Sequence, residues 1–307
     1  MSQPVTLSQS LNTVIFNGQS NSLGWNATPI LTTTQPFNNK MYSGGVLVPL
    51  LPDTTEKPHV TSANYASALR YKNFGTPIND SLAAFTCGVG GASISAIQDG
   101  STGFNQFKSN VDNLLSVDST TAFPIVNFVQ GETDTENLMT GDTWSTYFTS
   151  LYNSMKSYID FKTSNDSKLK VVLTQPSFKV QLNKEIVLSQ LKLCQSSDRF
   201  FMTSPMYRYP YSAADKVHLT NVGYKLMGAY FGRANSEIMA GKKPQWLNPL
   251  SAEYSGKVIR IKFDVPALPL VLDKDNLAIT TNSGFRVLND SADNPITNIY
   301  IDGDEVV

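Results

Sequence analysis

Charge of either sign is scarce. Only 16% of the 307 residues are Asp, Glu, Lys or Arg, and 24 basic side chains against 25 acidic ones leave a formal net charge of -1. A chain so balanced has no basic field with which to draw nucleic acid or an anionic membrane surface, so a nucleic-acid partner is not expected. Cysteine is nearly absent: Cys87 and Cys194 lie far apart, without a CxxC pair or a histidine cluster beside them. Neither a disulfide framework nor a metal site is therefore expected, and both residues read as buried thiols. No run approaches the ~18 apolar residues a membrane span needs, which argues against membrane insertion. The opening MSQPVTLSQS has no basic segment followed by an apolar one, so no signal peptide is visible. Heptads, internal repeats and low-complexity tracts are missing too.

What is present is a chain long enough for one large or two modest domains. Across the first 240 residues, short β-branched runs alternate with longer amphipathic stretches, the pattern of a βα protein. The runs predict strands over Leu11–Phe16, Ala83–Cys87, Pro124–Val129, Lys170–Thr174 and Arg199–Met202. Helices are predicted near Thr61–Tyr71, Phe104–Leu115, Thr143–Lys162, Leu182–Gln195 and Thr220–Met239. Helices of this length are the crossovers that parallel strands require, so the expected fold class is α/β, a parallel sheet covered by helices on both faces. The Gly-, Pro- and Asn-rich stretch from Asn26 to Pro77, apart from its helical segment, reads as a long loop or insertion. Beyond AGKKPQWLNPL the helical period stops. Ile259, Ile261, Phe263 and Val265 there alternate with Arg260, Lys262 and Asp264, and Asn298–Ile301 forms a second β-like run. Two domains follow, 1–243 and a small β-rich module over 244–307. Its final DGDEVV reads as a turn and the first residues of another strand, as if cut from a longer parent.

In a parallel sheet the C-terminal strand ends share one edge, where ligand sites form. Four polar motifs fall there. After the first strand, Asn17-Gly18-Gln19-Ser20-Asn21-Ser22 places Ser20 in a glycine-flanked turn that can expose a hydroxyl and aim a backbone N–H at the same point. After Ala83–Cys87, Gly88-Val89-Gly90-Gly91 lets the backbone approach a ligand closely, without the pattern of a P-loop or of GxGxxG. After Pro124–Val129, Gln130 can offer its side-chain NH₂ to a developing oxyanion, with Glu132 and Asp134 behind it. Asp215 and His218 are three residues apart, so the carboxylate can accept the imidazole Nδ1–H and leave Nε2 as a general base. The second histidine, His59, lacks such a partner and reads as structural or exposed. Together the four motifs supply nucleophile, oxyanion donors and base for acyl transfer, with no cofactor.

The order GQSN, GGAS, QGExD and DxxH resembles the SGNH hydrolase superfamily, and within it the sialic-acid-acetylesterase-like branch, carbohydrate esterase family 6. The resemblance covers about residues 1–240 and implies a three-layer αβα, flavodoxin-like fold. It also implies a triad of Ser20, Asp215 and His218 and an oxyanion hole of Ser20, Gly91 and Gln130. Ser22 stands where many members have methionine, and Ala92 where the pattern has threonine, which leaves open whether Gly90 or Gly91 supplies the second N–H. The implied activity is removal of O-acetyl groups from carbohydrate, such as sialic acid or a bacterial surface polysaccharide. Asn21, Trp25 and Glu132 are then the candidate substrate contacts; Trp25 and Trp144 are candidate sugar platforms, with buried packing the favoured role for each. The β tail resembles, more loosely, modules that follow such domains in phage and prophage tail proteins. That origin would imply a trimer and a virion or extracellular location, and its absence a cytoplasmic one. The competing class is a non-catalytic carbohydrate-binding or tail-structural protein on a vestigial hydrolase fold. Retention of Ser20, Asp215 and His218 together speaks against it.

Overall fold

The computed structural model describes residues 11–74, 81–273, 275, 280–289 and 292–307. Two compact units divide at Pro244/Gln245. The elements of the first are, in order, β1 (Asn12–Gly18), β2 (Lys40–Ser43), β3 (Val46–Pro49), α1 (Pro58–Phe74), β4 (Leu82–Thr86), α2 (Thr102–Val117), β5 (Ala122–Val129), α3 (Glu132–Glu136), α4 (Gly141–Thr163), β6 (Lys170–Leu173), α5 (Glu185–Ser196), β7 (Phe200–Met202) and α6 (Asn221–Met239). They form a seven-stranded sheet in the order β3-β2-β4-β1-β5-β6-β7. The five strands β4, β1, β5, β6 and β7 pair in parallel, as the crossover pattern predicts.

The sheet is not wholly parallel. Within the stretch expected to be loop, β2 and β3 pair antiparallel around Gly44 and Gly45, both at positive φ, and add an edge hairpin. Among the described residues the register pairs that hairpin with β4 at Lys40 and Ala83. Each of its strands has four residues and none is fully buried, so the apolar alternation that marks the inner strands is missing.

Alternation along the buried strands sorts side chains to the two faces. Val14 and Phe16 of β1, with Ile125 and Val129 of β5, pack into one core with Val60, Ala63 and Ala66 of α1 and Tyr224, Met227 and Phe231 of α6. These two helices pack at close range: a Cβ on Gly232 of α6 would stand 2.6 Å from the Ser62 carbonyl of α1. On the opposite face Phe128 meets Trp144 and Phe148 of α4, and Phe148 also contacts Phe200 of β7 edge-on. Three layers result, helix, sheet and helix.

His59 lies in α1 at 8% exposure, its ring 6.4 Å from that of Phe16. It is structural, and Nδ1 finds no partner among the described residues. Burial, aided by the nearby Lys57 charge, pushes its pKa down from 6.5 to about 3. The unfolded chain therefore binds the extra proton first as pH falls, and stability should decline from about pH 6.5 towards pH 3, by on the order of a few kcal/mol. A His59→Gln variant should lose that slope in denaturant titrations across this window. An unchanged slope would place the acid sensitivity elsewhere.

The second unit contains β8 (Asn248–Ser255), β9 (Val258–Asp264), β10 (Val287–Asn289), β11 (Ala292–Asn294), β12 (Ile301–Asp302) and β13 (Glu305–Val306). A four-stranded sheet runs β12-β13-β9-β8, and β10 pairs with β11. In β9 the half-buried Ile259, Ile261 and Phe263 alternate with exposed residues. DGDEVV folds back as the β12–β13 hairpin, with β13 bonded to β9. Among the described residues no helix is long and apolar enough to cross a membrane. No group of three His, Cys, Asp or Glu there could hold a metal ion. Both cysteines are buried, unpaired thiols.

Candidate active site

Strand β1 ends in Gly18 at φ +132°, which only glycine tolerates here: a Cβ would stand 1.9 Å from the Val129 carbonyl oxygen. That oxygen accepts the Gln19 N–H at 2.9 Å, tying the turn to β5. A single 3₁₀ turn, Ser20–Ser22, follows. The Ser22 hydroxyl donates back to the Gln19 carbonyl at 2.7 Å and closes it. Ser20 is thus delivered at the sheet's C-terminal edge on a rigid corner.

The histidine comes from the far end of the unit. Residues 213–217 make a turn before α6, with Lys216 in the left-handed region at φ +57°. Asp215 Oδ1 accepts the backbone N–H groups of Val217 and His218 at 2.9 and 3.0 Å. A carboxylate-capped turn, rather than a helical one, therefore gives the spacing of three its meaning. Asp215 Oδ2 lies 2.7 Å from His218 Nδ1, and His218 Nε2 lies 2.8 Å from Ser20 Oγ. Since the carboxylate can only accept, Nδ1 carries the proton and Nε2 accepts from the serine hydroxyl. Partial burial works against the Asp215 charge, yet the His218 ring and the two backbone N–H groups hold its carboxyl down at about 2.

Gly91 lies across the Gly88–Gly91 loop at φ +67°. Among the described residues, the backbone N–H groups of Ser20, Gly90 and Gly91 donate to no partner, which leaves them open to a ligand. Gln130 is more constrained than its place at a strand end predicts. It is buried; its Oε1 accepts the Trp144 indole N–H at 2.8 Å, and its Nε2 donates to Asp134 Oδ2. Asp134 also accepts the Ile94 N–H at 2.9 Å, so one carboxylate braces two loops of the edge. One Gln130 amide hydrogen is committed there, and an oxyanion role rests on the second.

Two substrate-facing expectations are corrected. Asn21 is fully buried and Glu132 is 3% exposed; they bond to each other at 2.7 Å, so neither reaches a substrate. Burial pushes the Glu132 carboxyl above its ordinary value, and burial does the same to Asp134 against the bonds from Gln130 and Ile94. Trp144 takes the packing role favoured for it: it is fully buried and stacked on Phe148 at 5.2 Å between centroids. Trp25 does sit at the surface: 48% exposed, its ring centroid 6.2 Å from that of His218. A residue the sequence did not single out is Glu56. Its fully buried carboxylate accepts the Leu31 and Thr32 N–H groups at 2.7 and 2.9 Å and fixes the loop that follows Trp25. Nothing in its local sequence distinguishes it from a surface glutamate.

A parallel-dominated αβα sandwich here carries serine, histidine and aspartate hydrogen-bonded in series at its strand ends. No family model matches the chain, and no curated protein matches it. Among solved structures it is similar to NanS, with a TM-score of 0.55 and 13% identity over 76% of this chain and 98% of that one. It is also similar to a carbohydrate acetylesterase from Xanthomonas citri, with a TM-score of 0.54 and 16% identity over 96% of this chain and 71% of the other. A protein from Arabidopsis thaliana gives a TM-score of 0.54 and 14% identity over 73% and 97% of the two chains. At these identities the likeness establishes the fold.

Proposed function

We propose that the chain is a serine esterase that removes O-acetyl groups from carbohydrate through an acyl-enzyme on Ser20. The observation that carries this reading is the unbroken hydrogen-bond series from Asp215 through His218 to Ser20, 2.7 and 2.8 Å. His218 Nε2 takes the hydroxyl proton as Ser20 Oγ attacks the acetyl carbonyl carbon. The oxyanion is received by the Ser20 and Gly91 N–H groups and the remaining Gln130 amide hydrogen. The sugar oxygen leaves with the proton from His218. Water then gives a proton to His218 and attacks the acetyl-serine carbonyl carbon; acetate leaves as the bond to Ser20 Oγ breaks and His218 returns the proton to that oxygen. Asp215 remains ionised throughout, since its pKa is held at about 2.

The carbohydrate part of the reading is supported by Trp25, an exposed indole beside the histidine where a sugar ring can stack. It is also supported by the similar Xanthomonas citri protein, described as a carbohydrate acetylesterase. The test is hydrolysis of an aryl acetate and acetate release from an O-acetylated polysaccharide, in wild type and Ser20→Ala. Wild type should act on both substrates, and Ser20→Ala, folded as judged by circular dichroism, on neither. Activity that survives in Ser20→Ala rejects the mechanism, and activity on the aryl ester alone rejects the glycan. An inert, folded wild type would favour a binding module on a retired hydrolase fold.

A further inference from the structure

The buried pair behind the nucleophile has more to do than fill space. Both N–H groups and the carbonyl oxygen of the Asn21 amide are engaged. Nδ2 donates to Glu132 Oε1 at 2.7 Å and to the Val217 carbonyl at 3.2 Å, while Oδ1 accepts the Tyr224 hydroxyl at 2.8 Å. Asn21 directly follows Ser20 in the closed 3₁₀ turn. The Val217 carbonyl belongs to the peptide bond that joins Val217 to His218. One side chain therefore connects the corner carrying the serine to the loop carrying the histidine. The other side of that loop is held by Asp215, through the Val217 and His218 N–H groups.

The sense of the Asn21 amide decides whether this connection exists. Turned over, Asn21 would set its own oxygen against the Val217 carbonyl, two acceptors face to face. Glu132 Oε1 and the Val217 carbonyl, both accepting from Nδ2, select the working sense, and the Tyr224 hydroxyl steadies it by donating to Oδ1. Glu132 is itself fixed, because α3 is anchored at its start by Gln19 Oε1, which accepts the Gly131 and Thr133 N–H groups at 3.3 and 3.4 Å. Its second oxygen, Oε2, is buried with no partner among the described residues. A carboxylate kept in such a place for packing alone would be better replaced by an apolar side chain of similar size.

We infer that Glu132 is a positioning residue: by orienting the Asn21 amide it ties the histidine loop to the nucleophile turn and sets the Ser20–His218 separation. It works as a hydrogen-bond acceptor and touches no substrate. The inference deepens the esterase reading and rests on it only for its kinetic consequence. Misplacing a reacting group by about 1 Å can cost about 100-fold in rate, which sets the scale of the effect.

The test compares Glu132→Leu, which fills the same space without an acceptor, with Glu132→Gln, which keeps one. On an aryl acetate, Glu132→Leu should lower kcat by about 10- to 100-fold with KM within about twofold. Glu132→Gln should restore kcat to within about threefold of wild type. Crystal structures of both should show Ser20 Oγ and His218 Nε2 beyond hydrogen-bond reach, over ~3.5 Å, in the leucine variant and in contact in the glutamine variant. Wild-type kcat or an unchanged Ser20–His218 contact in Glu132→Leu overturns the inference, as does a Glu132→Gln variant as impaired as the leucine one. If Glu132→Leu does not fold, Tyr224→Phe, which removes a single hydroxyl from the same amide, should lower kcat about tenfold, and wild-type kcat there also overturns it. If wild type proves inert towards esters, the esterase reading falls, while the separations in the two Glu132 variants still decide this one.

Discussion

His218→Ala should keep the fold and lose about 10⁵- to 10⁶-fold in kcat on an aryl acetate, measured against wild type under saturating substrate. Nothing else in the described site can take the serine proton: the Ser20 hydroxyl lies 2.8 Å from His218 Nε2, and the nearby Glu132 is turned to Asn21. Folding should survive because the His218 backbone, not its ring, makes the turn's bonds, donating to Asp215 and accepting the Ser212 N–H at 2.7 Å. Asp215→Asn should cost less, about 10⁴-fold, and by a different route. The asparagine oxygen can still accept the Val217 and His218 N–H groups and keep the turn. Its NH₂ would then face Nδ1 as a donor, moving the ring proton to Nε2, where it blocks acceptance from Ser20. Equal activity in wild type and His218→Ala would rule out the triad.

The second large effect is on folding. Gly18→Ala puts a Cβ 1.9 Å from the Val129 carbonyl oxygen, at a φ of +132° that alanine does not adopt. Backbone has to move, and the Gln19–Val129 bond that ties the turn after β1 to β5 is what stands in the way. A destabilisation of at least ~3 kcal/mol is expected in denaturant titrations. Gly241→Ala is the control: its φ is +70°, with nothing within 4 Å of the added carbon, so it carries backbone strain without collision. That variant should lose only about 1 kcal/mol. Similar losses in the two would mean that the turn at Gly18 tolerates rearrangement.

Strand and helix positions in the first unit were legible because burial on both faces leaves continuous apolar runs, and amphipathic crossovers leave a helical period. The β2–β3 hairpin was not, since an exposed edge needs no apolar signature. For the site, motif order was enough to bring Ser20, Asp215 and His218 to one edge. It did not carry depth. Asn21 and Glu132 look like surface residues beside a nucleophile, yet the folded chain turns them inward towards Tyr224 and Val217, partners with no mark in the local sequence. The constraint on Gln130 was equally unmarked, since part of it comes from Trp144 in α4.

The bond between Ser20 and His218 spans 198 positions of the chain. During synthesis the serine corner leaves the ribosome with the first strand, whereas the histidine emerges only after the last strand of the sheet. Long-range closure of this kind is slow compared with local folding. A nascent chain can thus lay down most of its sheet while the serine still lacks its base, and the reactive pair comes into being only as the unit is finished.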